Sequence, residues 1–183
     1  VQTARRNCNS LESIPPSERS WPHLCAEFLP AKMAELQQAM RTPIPAGDFM
    51  RARANICALR KKYPHVSGEC CGCYVLMQDG KPAYAGISRE VYRRVFRILK
   101  EANHTSSTLA NMFADMNVPL PGVCCFEKMH VPAYRAAHER AHRRIAALDV
   151  AIVPIEGAME LYLFGAYCAQ HLRVPLLNVF RFN

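Results

Sequence analysis

Apolar and polar positions along this chain follow two periods, one helical and one of strands. Residues 1 to about 20 read as loose, and Trp21 begins an ordered segment. Met33, Leu36 and Met40 recur at helical spacing in a segment from Pro30 to about Arg41. Thr42-Pro-Ile-Pro-Ala-Gly breaks that pattern, and Asp48 is placed to cap a second helix from Phe49 to about Lys62. Its Met50, Ala54, Cys57 and Leu59 lean toward a core, and Arg51, Arg53, Arg60, Lys61 and Lys62 make it basic. Cys70 to Met77 is an apolar, partly β-branched run. Gln78-Asp79-Gly80-Lys81 is turn chemistry, because Asp-Gly supplies the positive φ of a tight hairpin, and Pro82 to Ile87 is the return strand. A basic helix follows over roughly Glu90 to Ala102. Asn103 to Ser107 breaks the chain, and Thr105 or Ser106 caps another helix through Met116. Val118-Pro-Leu-Pro-Gly is a loop, and Val123 to Met129 suggests a short strand. Pro132 opens an amphipathic helix to about Leu148, with Tyr134, Ala137, Ala141 and Ile145 inward and Arg135, Arg140, Arg143 and Arg144 outward. Asp149 to Ile155 is a buried strand. Ala158 to Leu172 is a helix apolar almost all round, and Pro175 to Phe180 is extended.

These elements predict an α/β fold, with a small sheet built on the hairpin and flanked by helices. Residues 1–65 read as an N-terminal helical extension and 66–183 as the main domain. The helices of the extension either cover one side of the sheet or serve a further purpose. With 183 residues and half of them hydrophobic, the chain can bury one good core and is not disordered. No run approaches the length a membrane helix needs, and no secretory signal is visible. The chain begins with Val, which suggests a processed or excised piece. A net charge of +8 favours a polyanionic partner, nucleic acid or an acidic surface.

The nine cysteines are odd in number, and several are adjacent, as at Cys70, Cys71 and Cys73 or Cys124 and Cys125. Neighbouring strand residues point to opposite faces, so these pairs make no sensible disulfide framework. They read as small reduced hydrophobes in a reducing, cytoplasmic compartment. Cys-Cys-Gly-Cys matches no common zinc ligand spacing.

Three features carry chemistry. The hairpin bears Tyr74 and Tyr84 and feeds a helix with Arg93, Arg94, Arg97 and Lys100, after Arg89, which suits phosphate handling. Glu160 is the one carboxylate of the last helix; either burial demands a partner for it, or its first-turn place simply favours the helix dipole. His138-Glu139-Arg140-Ala141-His142 spells the H-E-x-x-H pattern of zinc proteases, with Glu160 as a conceivable third ligand. Arg140, Arg143 and Arg144 crowd that motif, however, and cations beside Zn²⁺ weaken binding, which favours a solvated basic helix.

Gly72-Cys73-Tyr74, nine residues, then Tyr84-Ala85-Gly86 resembles the paired motifs of the GIY-YIG nuclease superfamily. The likeness spans roughly residues 68 to 183. It includes Ala85-Gly-Ile-Ser-Arg, His104-Thr-Ser and the stretch around Glu160, which are similar to bacterial members. The resemblance implies a three-stranded, mostly antiparallel sheet and a Mg²⁺-dependent (or Mn²⁺-dependent) endonuclease on DNA, leaving a 5′-phosphate and a 3′-hydroxyl. It implies Arg94 on phosphate oxygens, Glu160 as metal ligand and Asn178 near the end. Tyr74 would act on the attacking water as base or positioning group, and Tyr84 would support the phosphate or the water network. A phenol needs a cation nearby to be an effective base at neutral pH, and Lys81, Arg94 or the metal would provide it. His104 is either a proton carrier or a surface loop histidine. Arg89, Arg93 and Arg97 suit nonspecific phosphate contacts or a solvated basic face. Cys73 and Ala85 depart from the motif at positions where small apolar residues fit a strand. Restriction, repair, mobile-element and secreted-toxin enzymes all use such a domain, RNA is an open alternative to DNA, and a restriction role would favour a homodimer. The competing readings are a non-catalytic nucleic-acid-binding module on the same fold, and a zinc metalloprotease using His138, Glu139 and His142.

Overall fold

The computed structural model describes residues 20–52, 55–63, 66, 68–100 and 108–174. It is an α/β structure, with a four-stranded antiparallel sheet covered by helices on both faces. In chain order the elements are α1 (Trp21–His23), a π-helical turn (Leu24–Phe28), α2 (Leu29–Arg41), β1 (Ile44–Pro45), α3 (Ala46–Ala52), α4 (Ile56–Lys62), β2 (Gly72–Gln78), β3 (Lys81–Ser88), α5 (Val91–Lys100), α6 (Thr108–Asn117), α7 (Cys125–Lys128), α8 (Pro132–Ala146), β4 (Asp149–Pro154) and α9 (Ala158–Leu172).

The β2–β3 hairpin forms one half of the sheet. Asp79 and Gly80 form its two-residue turn with φ of 51° and 73°, the left-handed pair that an Asp-Gly loop favours. β2 then pairs with β3 on one side and β4 on the other, in the order β1-β4-β2-β3. Tyr74 lies opposite Gly86 and Leu76 opposite Tyr84; the register shifts at Leu76/Met77, leaving Ala83 outside the pairing as a bulge. Pro82 sits on β3, the outer strand, where its missing N–H costs no ladder bond to a further neighbour.

Side chains of β2 alternate between two cores. Tyr74 and Leu76, with Tyr84 and Val150, face the core formed with α3, α4, α5, α6 and α8. Cys73, Val75 and Met77, with Ala85, Ile87 and Val153, face α2 and α9 through Leu36, Leu161, Phe164 and Cys168. Two close approaches depend on glycine. A Cβ at Gly72 would stand 2.5 Å from the Val153 carbonyl oxygen of β4, and one at Gly165 would stand 2.8 Å from Ile87.

Several expectations need correction. The sheet has a fourth strand, β1, from the Pro-rich segment read as a breaker; its two residues pair with Val150 and Asp149. Residues 125–128 are helical where a strand was expected, because Glu127 accepts from the Cys124 N–H (3.4 Å) and starts a turn of helix. The basic N-terminal segment forms two helices, α3 and α4. Asp48 lies inside the first of them, where its buried carboxylate accepts from Arg51, Lys62 and Tyr63, and it is Asn55 that caps the second. Those three donors hold Asp48 below the usual carboxylate range, Lys62 contributing most. The last helix is apolar almost all round but buried on one side only, since its Met159 and Tyr162 are exposed. The terminal stretch from Pro175 lies outside the described residues.

Candidate active site

The start of α5 is fixed from a distance. Glu69 accepts hydrogen bonds from the N–H groups of Tyr92 (2.9 Å) and Arg93 (3.2 Å), and Val91 N–H donates to the Cys70 carbonyl (3.0 Å). A carboxylate 23 residues upstream of Tyr92 thus serves the free donors at the helix N-terminus, where negative charge is also favoured by the helix dipole. On the helix so anchored, Val91, Tyr92, Val95, Ile98 and Leu99 are buried, and Arg94 is half-buried.

Three predicted site residues converge. Tyr74 and Tyr84 share one face of the hairpin, with ring centroids 6.0 Å apart and planes at 47°. The Tyr74 ring lies across Gly86, where a Cβ would stand 2.5 Å from both Cζ and the phenolic oxygen. Arg94 stands beside both phenols, close enough for its charge to favour their ionised forms. Tyr74 is 0% exposed and Tyr84 2%. Among the described residues the Tyr74 hydroxyl makes no hydrogen bond of ordinary geometry, although Arg94 and the Tyr84 hydroxyl approach it. Burial raises the Tyr74 pKa, and Arg94 and Tyr84 oppose that rise without cancelling it. Burial likewise raises Tyr84, with Tyr74 adding to the effect. Both tyrosines are therefore neutral phenols at neutral pH. In this arrangement Tyr74 can orient a water or an oxygen by donating its proton, but it does not have the lowered pKa of a general base.

Other predicted residues stand elsewhere. Lys81 is exposed at the turn end of the hairpin, opposite Gln78. That is four residues along the strand from Tyr74, roughly 13 Å at about 3.3 Å per residue, so Arg94 and not Lys81 is the cation beside the phenol. Arg93 pairs with Glu90 (2.9 Å) on the exposed side of α5, where Arg97 is also exposed. Arg89 is half-buried at the β3–α5 junction, and its carbonyl accepts from the Cys71 thiol (3.5 Å). His104 and Asn178 lie outside the described residues.

Glu160 is 5% exposed in the first turn of α9. Its carboxylate folds back over Gly157, the N-cap, so closely that any side chain at 157 would collide with it. Both sequence readings of this residue therefore hold locally: it is buried, and it sits where the helix dipole favours a negative charge. α9, however, packs on the face of the sheet opposite to Tyr74 and Tyr84. Its start adjoins the Gly72–Ser88 end of the hairpin, because β4 ends with Pro154 opposite Gly72. Glu160 can meet the tyrosines only around that end.

His138 and His142 occupy one face of α8, ring centroids 4.9 Å apart, and His138 stacks with Tyr134 at 6.5 Å. They do not belong to a solvated basic face: His138 is 2% exposed, and burial lowers the pKa of His142. Glu139 is exposed. Among the described residues no three His, Cys, Asp or Glu side chains come together as metal ligands. Glu160 is a single buried carboxylate packed against Gly157, an oxygen donor of the type Mg²⁺ takes when it is held by one carboxylate with waters and substrate phosphate.

The sequence does not reveal Glu69 as the anchor of α5, nor the close packing of Tyr74 on Gly86 and of Glu160 on Gly157. Glu69 has no local pattern to announce it, whereas each glycine stands beside a residue already singled out. No protein-family model matches the chain, and no curated protein or solved structure matches it.

Proposed function

We propose that the protein is a metal-dependent endonuclease that hydrolyses DNA phosphodiester bonds, with Tyr74, Tyr84, Arg94 and Glu160 as its working residues. The observation that carries this reading is the convergence of Tyr84 and Arg94 on Tyr74, whose ring lies over Gly86. A guanidinium beside two phenols offers a fork of donors for phosphate oxygens and two neutral hydroxyls for orienting the attacking water. Tyrosines filling a core have no need of a cation between them, and a cation held there has a use when an anion arrives. Glu160 would hold the Mg²⁺ or Mn²⁺ ion. A bound ion would supply positive charge to the leaving oxygen.

A second reading is favoured by one observation. The Tyr74 hydroxyl is sealed from solvent, and α9 lies on the other face of the sheet, as suits a nucleic-acid-binding module without catalysis. Nicking of supercoiled plasmid in Mg²⁺ separates the two. The nuclease reading expects nicking by the wild type, and a loss of at least about 100-fold in Glu160→Ala and in Arg94→Ala, the scale for removing a charge-stabilising group. Binding without nicking by the wild type, or equal nicking by both variants, would sink it.

A further inference from the structure

α4 and α5 carry basic side chains and no carboxylate. On α5, Arg93, Arg97 and Lys100 are exposed at i, i+4 and i+7, a row roughly 10 Å long at about 1.5 Å per residue. On α4, Arg60 and Lys61 are exposed and have no ion-pair partner among the described residues. Of the described acids nearby, Asp48 is committed to Arg51, Lys62 and Tyr63, Glu69 to the α5 N-terminus, and Glu90 to Arg93 of the row itself.

The two basic surfaces are joined by packing. Arg51 of α3 and Lys62 of α4 both bind Asp48. The next residue, Phe49, stacks on Tyr92 with centroids 6.1 Å apart and planes at 22°. Arg93 follows Tyr92 directly. The Asp48 cluster keeps one positive charge in excess and stands one stacked pair away from the start of the α5 row.

A small anion would need cations that converge, and these are laid out in a row. A membrane surface would need exposed apolar groups among them. The large exposed hydrophobics of the described residues (Trp21, Met116, Val123, Phe126, Met159, Tyr162) all lie on other segments. A duplex, with one charge per about 1.7 Å of axis, suits a row of this kind.

We propose that α3 and α4 form a second phosphate-contacting surface that continues the α5 row, so that one run of duplex DNA is tracked across all three helices. This rests on the DNA-directed reading for its partner but assigns the N-terminal helices a binding role that the tyrosine site does not require.

The test is binding of a fluorescent duplex of arbitrary sequence in EDTA, followed by anisotropy across a salt series. Arg60→Ala/Lys61→Ala should weaken binding equally on unrelated sequences and flatten the slope of log K against log salt by about 1.8, two contacts at about 0.9 each. Arg97→Ala/Lys100→Ala should do the same. Arg41→Ala, on α2 against the opposite face, should leave the slope unchanged. An unchanged slope in Arg60→Ala/Lys61→Ala beside a flattened one in Arg97→Ala/Lys100→Ala overturns the second surface and leaves the nuclease reading standing. An equal loss in Arg41→Ala means diffuse attraction and overturns it too. No salt-dependent duplex binding by the wild type sinks both.

Discussion

Gly86 holds the room that the Tyr74 phenol fills. A methyl group there would stand 2.5 Å from the Tyr74 Cζ and from its hydroxyl oxygen, and the ring is fully buried with no free side to turn to. Gly86→Ala should therefore destabilise the fold by about 1–3 kcal/mol, the usual cost of overpacking, read as a lowered urea midpoint. In a Tyr74→Ala background the same change should cost less, by at least about 0.5 kcal/mol, because the clash has no partner. Equal costs in both backgrounds would mean that the two residues do not compete for space. Residue identity also sets what the site can do. With both phenols kept protonated, the charge beside them is the Arg94 guanidinium, and in the proposed reaction the tyrosines would act as donors.

At the scale of elements, the position of Arg94 depends on how α5 begins. Glu69 serves two of its first N–H groups from just before the start of β2, so the helix start and the strand start are tied together. Glu69→Ala leaves those donors without their acceptor and should cost about 1–2 kcal/mol of stability, comparable with losing a helix cap. It should also lower nicking while leaving the salt slope of DNA binding unchanged, because the α5 row is retained. A variant that lost duplex binding in proportion would show that Glu69 supports the whole surface and not the site alone. Nothing in the local sequence announces Glu69, since the partnership crosses a hairpin. By contrast the hairpin was legible from its Asp-Gly turn and apolar run, and α9 from its continuous apolar pattern between Gly157 and the last turn. β1 was not, because two residues in a Pro-rich stretch have no periodicity to read, and their strand character comes wholly from β4. The 125–128 helix was hidden for the same reason: four residues are too few to separate a helical period from a strand period. Of the site, Tyr74, Tyr84 and Arg94 were legible as a group. The face on which Glu160 arrives was not, because it depends on the path from β4 into α9.

For the whole molecule, the two cores on either side of the sheet make tyrosine ionisation a probe of folding. Tyr63, Tyr74, Tyr84, Tyr92 and Tyr134 all have raised pKa values, burial being the largest cause in each, and Tyr134 is pushed up to about 12. A folded pKa above the unfolded value of about 10 stabilises the native state below that pH, and the contribution is lost as pH rises through the folded values. The phenolate absorbance of these five should thus appear only together with loss of far-ultraviolet circular dichroism above pH 10. Complete titration of all seven tyrosines of the chain near pH 10 with the dichroism intact would contradict the burial described here.

The bulge at Ala83 has a consequence in simple counting. In a regular antiparallel hairpin closed by a two-residue turn, residues on the same face of the two strands are separated by an odd number of positions. Tyr74 and Tyr84 are ten apart, an even number, so an unbroken ladder from the Asp79–Gly80 turn would send them to opposite faces. The one residue left out of the count restores them to the same side. Deleting Ala83 should leave the tyrosine pair where it is, now on a ladder without interruption, whereas adding a residue between Tyr84 and Gly86 would put Tyr84 and the clearance at Gly86 out of phase with each other.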